Sequence, residues 1–448
     1  MFEPFTYKSL EAIRKKILDL DLSLPLSNNI EVLKQPLEFR KMSIPNRLSI
    51  QPMEGFDAKV DGAPSELTLR RYKRYAKGGA GLIWFEATSI VEEGRSNPHQ
   101  LMLTEKNYKE FRNLLSLVRN LSKKTLNNLG FPNNCIFILQ LNHSGRYSKY
   151  NNKKYPIRAY HNQELDHALG TTEKEGKVIN DEELEDLEHI WIRKALIAKE
   201  AGFDGVDIKA CHGYLISELL NSYKRLDSKY GGSPLEKRSL FLKNIVKGLR
   251  KKNNEFIITT RLGVFDGIPY PYGFGVKKKQ NSIVPLTVDL KEPIELINTL
   301  NDIGVEIFNI TAGNPHYNSF VTRPYDTPIK GESIPPEHPL ISVDRILSLC
   351  GAIKSQISNE IITISSGFSY LRQYAGFVAS GLIEKKKTDI CGFGRMALAN
   401  PEFPKQLFQK GIINKNKSCI TCSKCSEFMR YGKETGCAIR DPLYRKKD

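Results

Sequence analysis

The chain has 448 residues, 40% of them hydrophobic and 26% charged, which is enough for a large buried core and lies outside the low-hydrophobicity, high-charge regime of disordered chains. Its net charge of +17 would suit nucleic acid, but the lysines are scattered and no zinc-finger, RNP or helix-turn-helix pattern accompanies them. The charge is therefore assigned to lysine-rich composition or to an anionic small molecule such as a phosphate or a CoA ester, with no nucleic-acid partner. No stretch approaches the roughly 18 consecutive apolar residues of a membrane span, and the N-terminus lacks the apolar core of a signal peptide. A cytoplasmic location with no membrane partner is expected.

Residues 1–40 form an N-terminal extension with one amphipathic helix. Short apolar runs then recur at 48–53, 80–87, 135–142, 205–210, 256–264, 305–313, 361–367 and 388–394. Helix-patterned stretches such as ELTLRRYKRYA and DEELEDLEHIWIRKALIAKE separate them. Apolar runs buried on both faces and alternating with helices predict an α/β fold, a parallel (β/α)8 TIM barrel over 41–404. A doubly wound sheet is disfavoured because no GxGxxG follows the first strand. Ser233-Pro234-Leu235-Glu236 predicts a helix start capped by Ser233. Two insertions, 145–180 and 267–285, leave the C-terminal ends of strands, where barrel active sites form. The second carries Tyr270, Tyr272 and Phe274, an aromatic tip able to cover a ligand.

Four cysteines, Cys135, Cys211, Cys350 and Cys391, sit singly in apolar contexts and are expected as buried thiols. The other four crowd the segment 405–448: Cys419, Cys422 and Cys425 are each separated by two residues, and eleven intervene before Cys437. In a reducing compartment this spacing predicts a metal site, either an iron-sulfur cluster or zinc.

Several strand ends carry polar residues that a barrel core would not favour. The blocks QPMEG, QLNHSGRYS, AGFDGVDIKACHGYL, NSYKRLDSKYGGSPLEKRSLF, TRLG and GFGRMALANPEF resemble, in order, the signature blocks of the old yellow enzyme family. The resemblance implies an FMN-binding barrel. It places Gln140 at the pyrimidine edge of the flavin, and Arg261 at N1 and O2, where a cation stabilises the anionic reduced ring. Pro52, Met53 and Ala87 would line the ring with Glu54 adjacent, and Ser366, Gly367, Gly394 and Arg395 would hold the phosphate.

On the substrate side, the His and Asn of old yellow enzymes proper are replaced by Lys209 and His212, which can still hydrogen-bond a carbonyl or present positive charge to a carboxylate or thioester. Tyr214 matches the proton donor of similar dienoyl-CoA reductases, and His316 is a second candidate acid or ligand. The cysteine quartet resembles the 4Fe-4S site of the subgroup containing dienoyl-CoA reductases and trimethylamine dehydrogenase, which favours the cluster over zinc. The expected activity is reduction of an electrophilic alkene with NAD(P)H or a redox partner protein as electron source. The alternatives are an amine dehydrogenase running oxidatively and a non-catalytic electron-transfer subunit.

Overall fold

A computed structural model describes residues 2–40, 42–278 and 286–445. Eight parallel strands close into a barrel: β1 (Leu48–Ile50), β2 (Leu82–Ser89), β3 (Ile136–Asn142), β4 (Gly205–Ile208), β5 (Ile257–Gly263), β6 (Ile307–Thr311), β7 (Ile362–Ser366) and β8 (Ile390–Phe393). Each pairs with its sequence neighbours, and β8 pairs with β1 through Cys391↔Leu48 and Phe393↔Ile50. Among the helices outside the ring are α1 (Glu66–Ala76), α2 (Tyr108–Asn128), α3 (Asp181–Glu200), α4 (Leu240–Lys252), α5 (Lys291–Asp302), α6 (Pro339–Lys354), α7 (Ala375–Glu384) and α8 (Phe403–Lys410). The expected (β/α)8 barrel is thus observed.

Strand alternation sorts each strand's side chains between the barrel axis and the helix layer. Leu82 and Trp84, Ile136 and Ile138, Ile257, Ile307, Ile362, Ile364 and Ile390 fill the N-terminal half of the barrel interior, where Phe39 and Ile44 of the hairpin Leu37–Phe39/Met42–Ile44 close it from below. Each such side chain contributes about 1.5–3 kcal/mol by leaving water. This apolar plug is possible because β4 begins at Gly205: a Cβ there would lie 2.5 Å from the Ile257 carbonyl and 2.9 Å from Ile138 Cδ1. Apolar packing ends there, and the next inward positions on most strands are polar.

Capping boxes set two helix starts. Ser65 Oγ accepts from the Thr68 amide at 3.3 Å and Thr68 Oγ1 accepts from the Ser65 amide at 3.2 Å, while Asn180 and Glu183 exchange the same pair of bonds at 2.8 and 2.9 Å. Ser233 is not a cap as expected: the helical turn begins at Leu235 with Pro234 in the cap position and no side-chain bond to the free amides. The isolated cysteines Cys135, Cys211, Cys350 and Cys391 are buried thiols. Among the described residues no helix is long and apolar enough to cross a membrane.

Four segments decorate the barrel. The N-terminal helix Leu10–Asp19 turns Ile13 and Ile17 into the core. The insertion at 145–180 is held by a buried charge cluster in which Arg146 pairs with Glu218 and Asp166. The described part of the second insertion folds against the first: Asn162 Nδ2 donates to the Tyr272 carbonyl at 3.1 Å and the Tyr272 hydroxyl donates to Gln163 at 3.1 Å. Phe274 is buried, whereas Tyr272 is half-buried and Tyr270 packs edge-on against Tyr223 while remaining exposed; residues 279–285 of that insertion lie outside the described residues. The C-terminal segment returns to the mouth of the barrel. There the Thr435 amide donates to the Gly55 carbonyl at 2.6 Å, and Asp441 is clamped by Arg70 at 2.8 Å and by Arg74.

Candidate active site

Above the apolar plug, the inward positions of neighbouring strands form a polar ring. Gln140 Nε2 donates to Asp207 Oδ2 at 2.5 Å, and Thr259 Oγ1 donates to Asp207 Oδ1 at 3.1 Å. Across the barrel, Asn309 Nδ2 donates to Gln51 Oε1 at 2.7 Å. Burial pushes the Asp207 carboxyl up, and these bonds and the nearby Arg261 pull it back. Two residues above Thr259 on β5 stands Arg261, which among the described residues makes no ion pair and whose Nε has no hydrogen-bond partner there. Burial lowers its guanidinium from the usual range, with Cys211 and Asp207 opposing.

Gln51 Nε2 and Arg395 Nη1 are likewise buried without partners. Arg395 Nη2 donates to the Pro324 carbonyl at 2.6 Å. Beside it, burial and the Arg395 charge push Arg323 down to about 10. Buried positive charge with free donors suits a phosphate, and in-plane donors at Gln51, Gln140 and Arg261 suit the polar edge of a flavin. Gly367 follows β7 at φ +113°, a conformation that L side chains rarely adopt. Ser366 Oγ donates to the Ile310 carbonyl at 3.4 Å, so Ser366 can offer a ligand its backbone more readily than its side chain. Gly394 precedes the short helix Arg395–Ala399 and approaches Met53: a Cβ on it would lie 2.9 Å from the sulfur. A register shift in β2 between Phe85 and Thr88 displaces Ala87 locally, and its carbonyl accepts from Gln100 Nε2 at 3.1 Å. The residues present thus fit FMN.

The predicted substrate residues share the same mouth. Tyr214 donates its hydroxyl to Glu54 Oε1 at 3.4 Å, Lys209 Nζ lies 3.6 Å from the same oxygen, and that ammonium sits 3.3 Å from the Tyr214 ring centroid. Tyr147 packs edge-on against Tyr214 at 5.3 Å and stacks on His316 at 4.2 Å. His212, at φ +63°, places Nε2 3.1 Å from Thr311 Oγ1. Burial with Arg261 and Lys209 nearby pushes His212 well below the usual imidazole range, and burial pushes His316 down to about 3. Both rings are therefore neutral near pH 7 and serve as hydrogen-bonding groups, and the positive charge comes from Arg261 and Lys209.

The cysteine segment lies near this end. Thr421 and Ser423 adopt positive φ, 50° and 62°, which turns backbone amides inward: Thr421 N–H donates to Cys419 Sγ at 3.3 Å and Arg440 N–H to Cys437 Sγ at 3.3 Å. Cys419, Cys422, Cys425 and Cys437 are free thiols, and among the described residues no three Cys, His, Asp or Glu side chains are gathered as a formed metal site. Burial pushes Cys437 up to about 11 and Cys419 up to about 12.

Motif reading missed Gln51, Asp207, Asn309, Thr311 and Tyr147. Strand alternation was the available signal for Asp207, two residues before Lys209, and for Asn309 and Thr311 on β6. Tyr147 lies within the QLNHSGRYS block, which was the available signal for it, and it reaches the site at the start of the 145–180 insertion.

A polar, cation-lined mouth on a (β/α)8 barrel defines a class of cofactor-binding barrel enzymes, and comparison with known proteins places the chain within it. The family model described as NADH:flavin oxidoreductase / NADH oxidase matches residues 32–275, and the chain belongs to that family. Among curated relatives, the NADH oxidase of Thermoanaerobacter brockii is 25% identical over 389 residues, 85% of this chain but 51% of the relative, so the chain spans about half that protein's length. The NADPH dehydrogenase of Clostridium acetobutylicum is 26% identical over 277 residues, 61% of this chain and 71% of the relative. Among solved structures, a 2-naphthoyl-CoA reductase in complex with 2-naphthoyl-CoA superposes with a TM-score of 0.71 at 19% identity, over 93% of this chain and 58% of that one. Morphinone reductase in complex with tetrahydroNAD gives 0.60 at 19% identity, over 86% and 92%. At such identities the structures establish the shared fold.

Proposed function

We propose that the chain is an FMN-dependent oxidoreductase that reduces an activated carbon–carbon double bond, in an enone, enoate or enoyl thioester, with NAD(P)H or a redox partner protein as electron source. The observation that carries this is the pairing, at one barrel mouth, of a cation, Arg261, whose buried Nε has no hydrogen-bond partner among the described residues, with a phenol, Tyr214, that burial and Glu54 hold protonated well above the usual tyrosine range. FMN, when bound, supplies hydride chemistry. Gln51, Gln140 and Arg261 meet its polar edge; Pro52, Met53, Glu54 and Ala87 border the ring; Ser366, Gly367, Gly394 and Arg395 hold the phosphate. Lys209 and His212 hydrogen-bond the activating carbonyl of the alkene, drawing electron density from the β-carbon. Tyr214 gives the proton that the α-carbon needs, and the Tyr147–His316 stack lines one side of the site.

An oxidative reading with an ammonium substrate is disfavoured, because Lys209 already occupies the Tyr214 ring face that a cationic substrate would use. The four cysteines are assigned to a 4Fe-4S cluster rather than zinc on the resemblance of their spacing to the cluster-binding subgroup, and amide donors to Cys419 and Cys437 suit thiolate ligands. Ligation would draw the four thiols together and deprotonate them.

The test is an absorbance spectrum of anaerobically purified protein with iron and zinc assays, before and after NADH or NADPH and then a panel of enones and enoyl thioesters. Flavin bands bleached by the nicotinamide and restored by an alkene are expected. A colourless protein, or a reduced flavin that no alkene reoxidises, would overturn the proposal.

A further inference from the structure

Glu54 stands in the first loop of the barrel mouth with a contact set that ring binding does not account for. Its side chain is 6% exposed, Oε1 receives both the Tyr214 hydroxyl and the Lys209 ammonium, and Oε2 has no hydrogen-bond partner. The backbone beside it is fixed from two directions. The Gly55 amide donates to Glu86 Oε2 at 2.6 Å and the Gly55 carbonyl accepts from the Thr435 amide at 2.6 Å. Room for a side chain at 55 is absent, since a Cβ would fall 2.1 Å from Arg71 Nη1. A carboxyl so buried and so held gains nothing as a surface ion pair, and its only ionisable contacts are a phenol and an amine.

We propose that Glu54 and Lys209 form the proton store that restores Tyr214 after each turnover, Glu54 acting through Tyr214 and not on the substrate. This rests on the alkene-reductase reading above. With FMN bound to supply hydride to the β-carbon, the π electrons would move to the α-carbon and that carbon would take the phenolic proton of Tyr214. The resulting phenolate takes a proton from the Glu54–Lys209 pair, which holds one proton fewer until water at the open mouth replaces it. No electrons move in the second step.

The surroundings support such a store. Tyr214 Oη and Lys209 Nζ both reach Glu54 Oε1, at 3.4 and 3.6 Å, and burial raises the Glu54 carboxyl and lowers the Lys209 ammonium, which brings the two proton affinities toward each other. Facing Glu54 are Lys209, Tyr214 and Ser96; facing Lys209 are Glu54, Cys211, Arg261 and Asp207; facing Tyr214 are Glu54, Tyr147 and Cys211. Of these, only Lys209 and Tyr214 approach the carboxyl as titratable neighbours.

Glu54→Gln keeps the shape and removes the titratable proton. In full-length flavin-loaded protein, reduced anaerobically and mixed with cyclohexenone, the first reoxidation draws on the proton already on Tyr214, whereas later turnovers need the store. The expected result is that later turnovers slow at least about tenfold more than the first, consistent with the range for a lost proton-transfer group. The pH dependence of the later turnovers should flatten, and Glu54→Asp should recover part of the rate. Equal slowing of first and later turnovers, or an unchanged ratio, overturns the relay.

A second measurement needs neither flavin nor alkene. The tyrosinate absorbance assigned to Tyr214, by subtraction of Tyr214→Phe, should appear at lower pH in Glu54→Gln, because the carboxylate that opposes the phenolate is gone. An unchanged titration overturns the contact itself. If no alkene reoxidises the wild-type protein, the reductase reading fails and the relay with it, while the titration still reports whether Glu54 governs Tyr214.

Discussion

Arg71→Met removes the cation from a buried cluster beneath the first active-site loop. Arg71, Asp57 and Glu86 are 5%, 5% and 2% exposed. The guanidinium bridges both carboxylates, reaching Asp57 Oδ1 at 3.1 Å through one nitrogen and making shorter contacts to Asp57 and Glu86. Thr68 Oγ1 completes Asp57 at 2.8 Å, and the Tyr72 hydroxyl lies 3.3 Å from Glu86. Breaking such a buried pair from one side costs about 3–5 kcal/mol, because the remaining charge keeps its desolvation penalty. With a urea slope of about 3 kcal/mol per molar, the unfolding midpoint should fall by about 1–1.7 M.

The sign of the pH dependence follows from Glu86. Burial already raises its carboxyl, with Arg71 the largest opposing influence. Without Arg71 the folded-state pKa rises further above the unfolded value of about 4.3. A raised pKa contributes stability that is complete below the unfolded value and lost as pH rises through the folded one. The penalty for Arg71→Met should therefore be smaller near about pH 5 than near about pH 8. Urea denaturation at the two pH values, followed by tryptophan fluorescence, measures both quantities. A midpoint shift that is absent, or the same at both pH values, would refute the assignment of this cluster as a charge-balanced support.

Tyr214→Phe should slow alkene-dependent flavin reoxidation by about 10²–10⁴-fold with FMN still bound, measured by stopped flow. Arg261→Met should make the flavin midpoint potential more negative by about 30–60 mV, from about 1.5–3 kcal/mol for a hydrogen bond to charge, read by dye-equilibrated titration. Gly205→Ala forces a Cβ to 2.5 Å from the Ile257 carbonyl and should cost about 1–3 kcal/mol, seen as a lower Tm. Cys437→Ser should reduce the iron content of anaerobically purified protein while leaving flavin absorbance in place, and unchanged iron would remove Cys437 from the ligand set.

Much of the barrel was legible because its signal is local. Each strand is a short apolar run, and each inward polar residue at a strand end breaks a pattern that a core would otherwise complete. Gln140, Lys209 and Arg261 lie at such strand ends, were assigned roles through the resemblance to old yellow enzymes, and are brought to one mouth in the structure. The Arg71 cluster was illegible: Asp57, Arg71 and Glu86 sit in a loop, a helix and a strand, and only the closure of β1 against β2 brings them together. Tyr147, although inside the QLNHSGRYS block, was missed because its position depends on how the 145–180 insertion folds over the barrel. Ser233 shows the opposite failure, a local capping pattern overridden by the tight turn of Gly231 and Gly232, which leaves Pro234 where the cap would be.

The same loop joins the two halves of the proposed chemistry. Gly55 is bonded on its amide side to the Arg71 cluster and on its carbonyl side to Thr435, two residues before Cys437. Glu54, one residue away, faces Tyr214 and Lys209. The backbone at Gly55 is thus held on both sides, by a buried carboxylate below and by the C-terminal segment above, and a Cβ there would fall 2.1 Å from Arg71 Nη1, so the position of Glu54 is set by packing that no single strand or helix supplies.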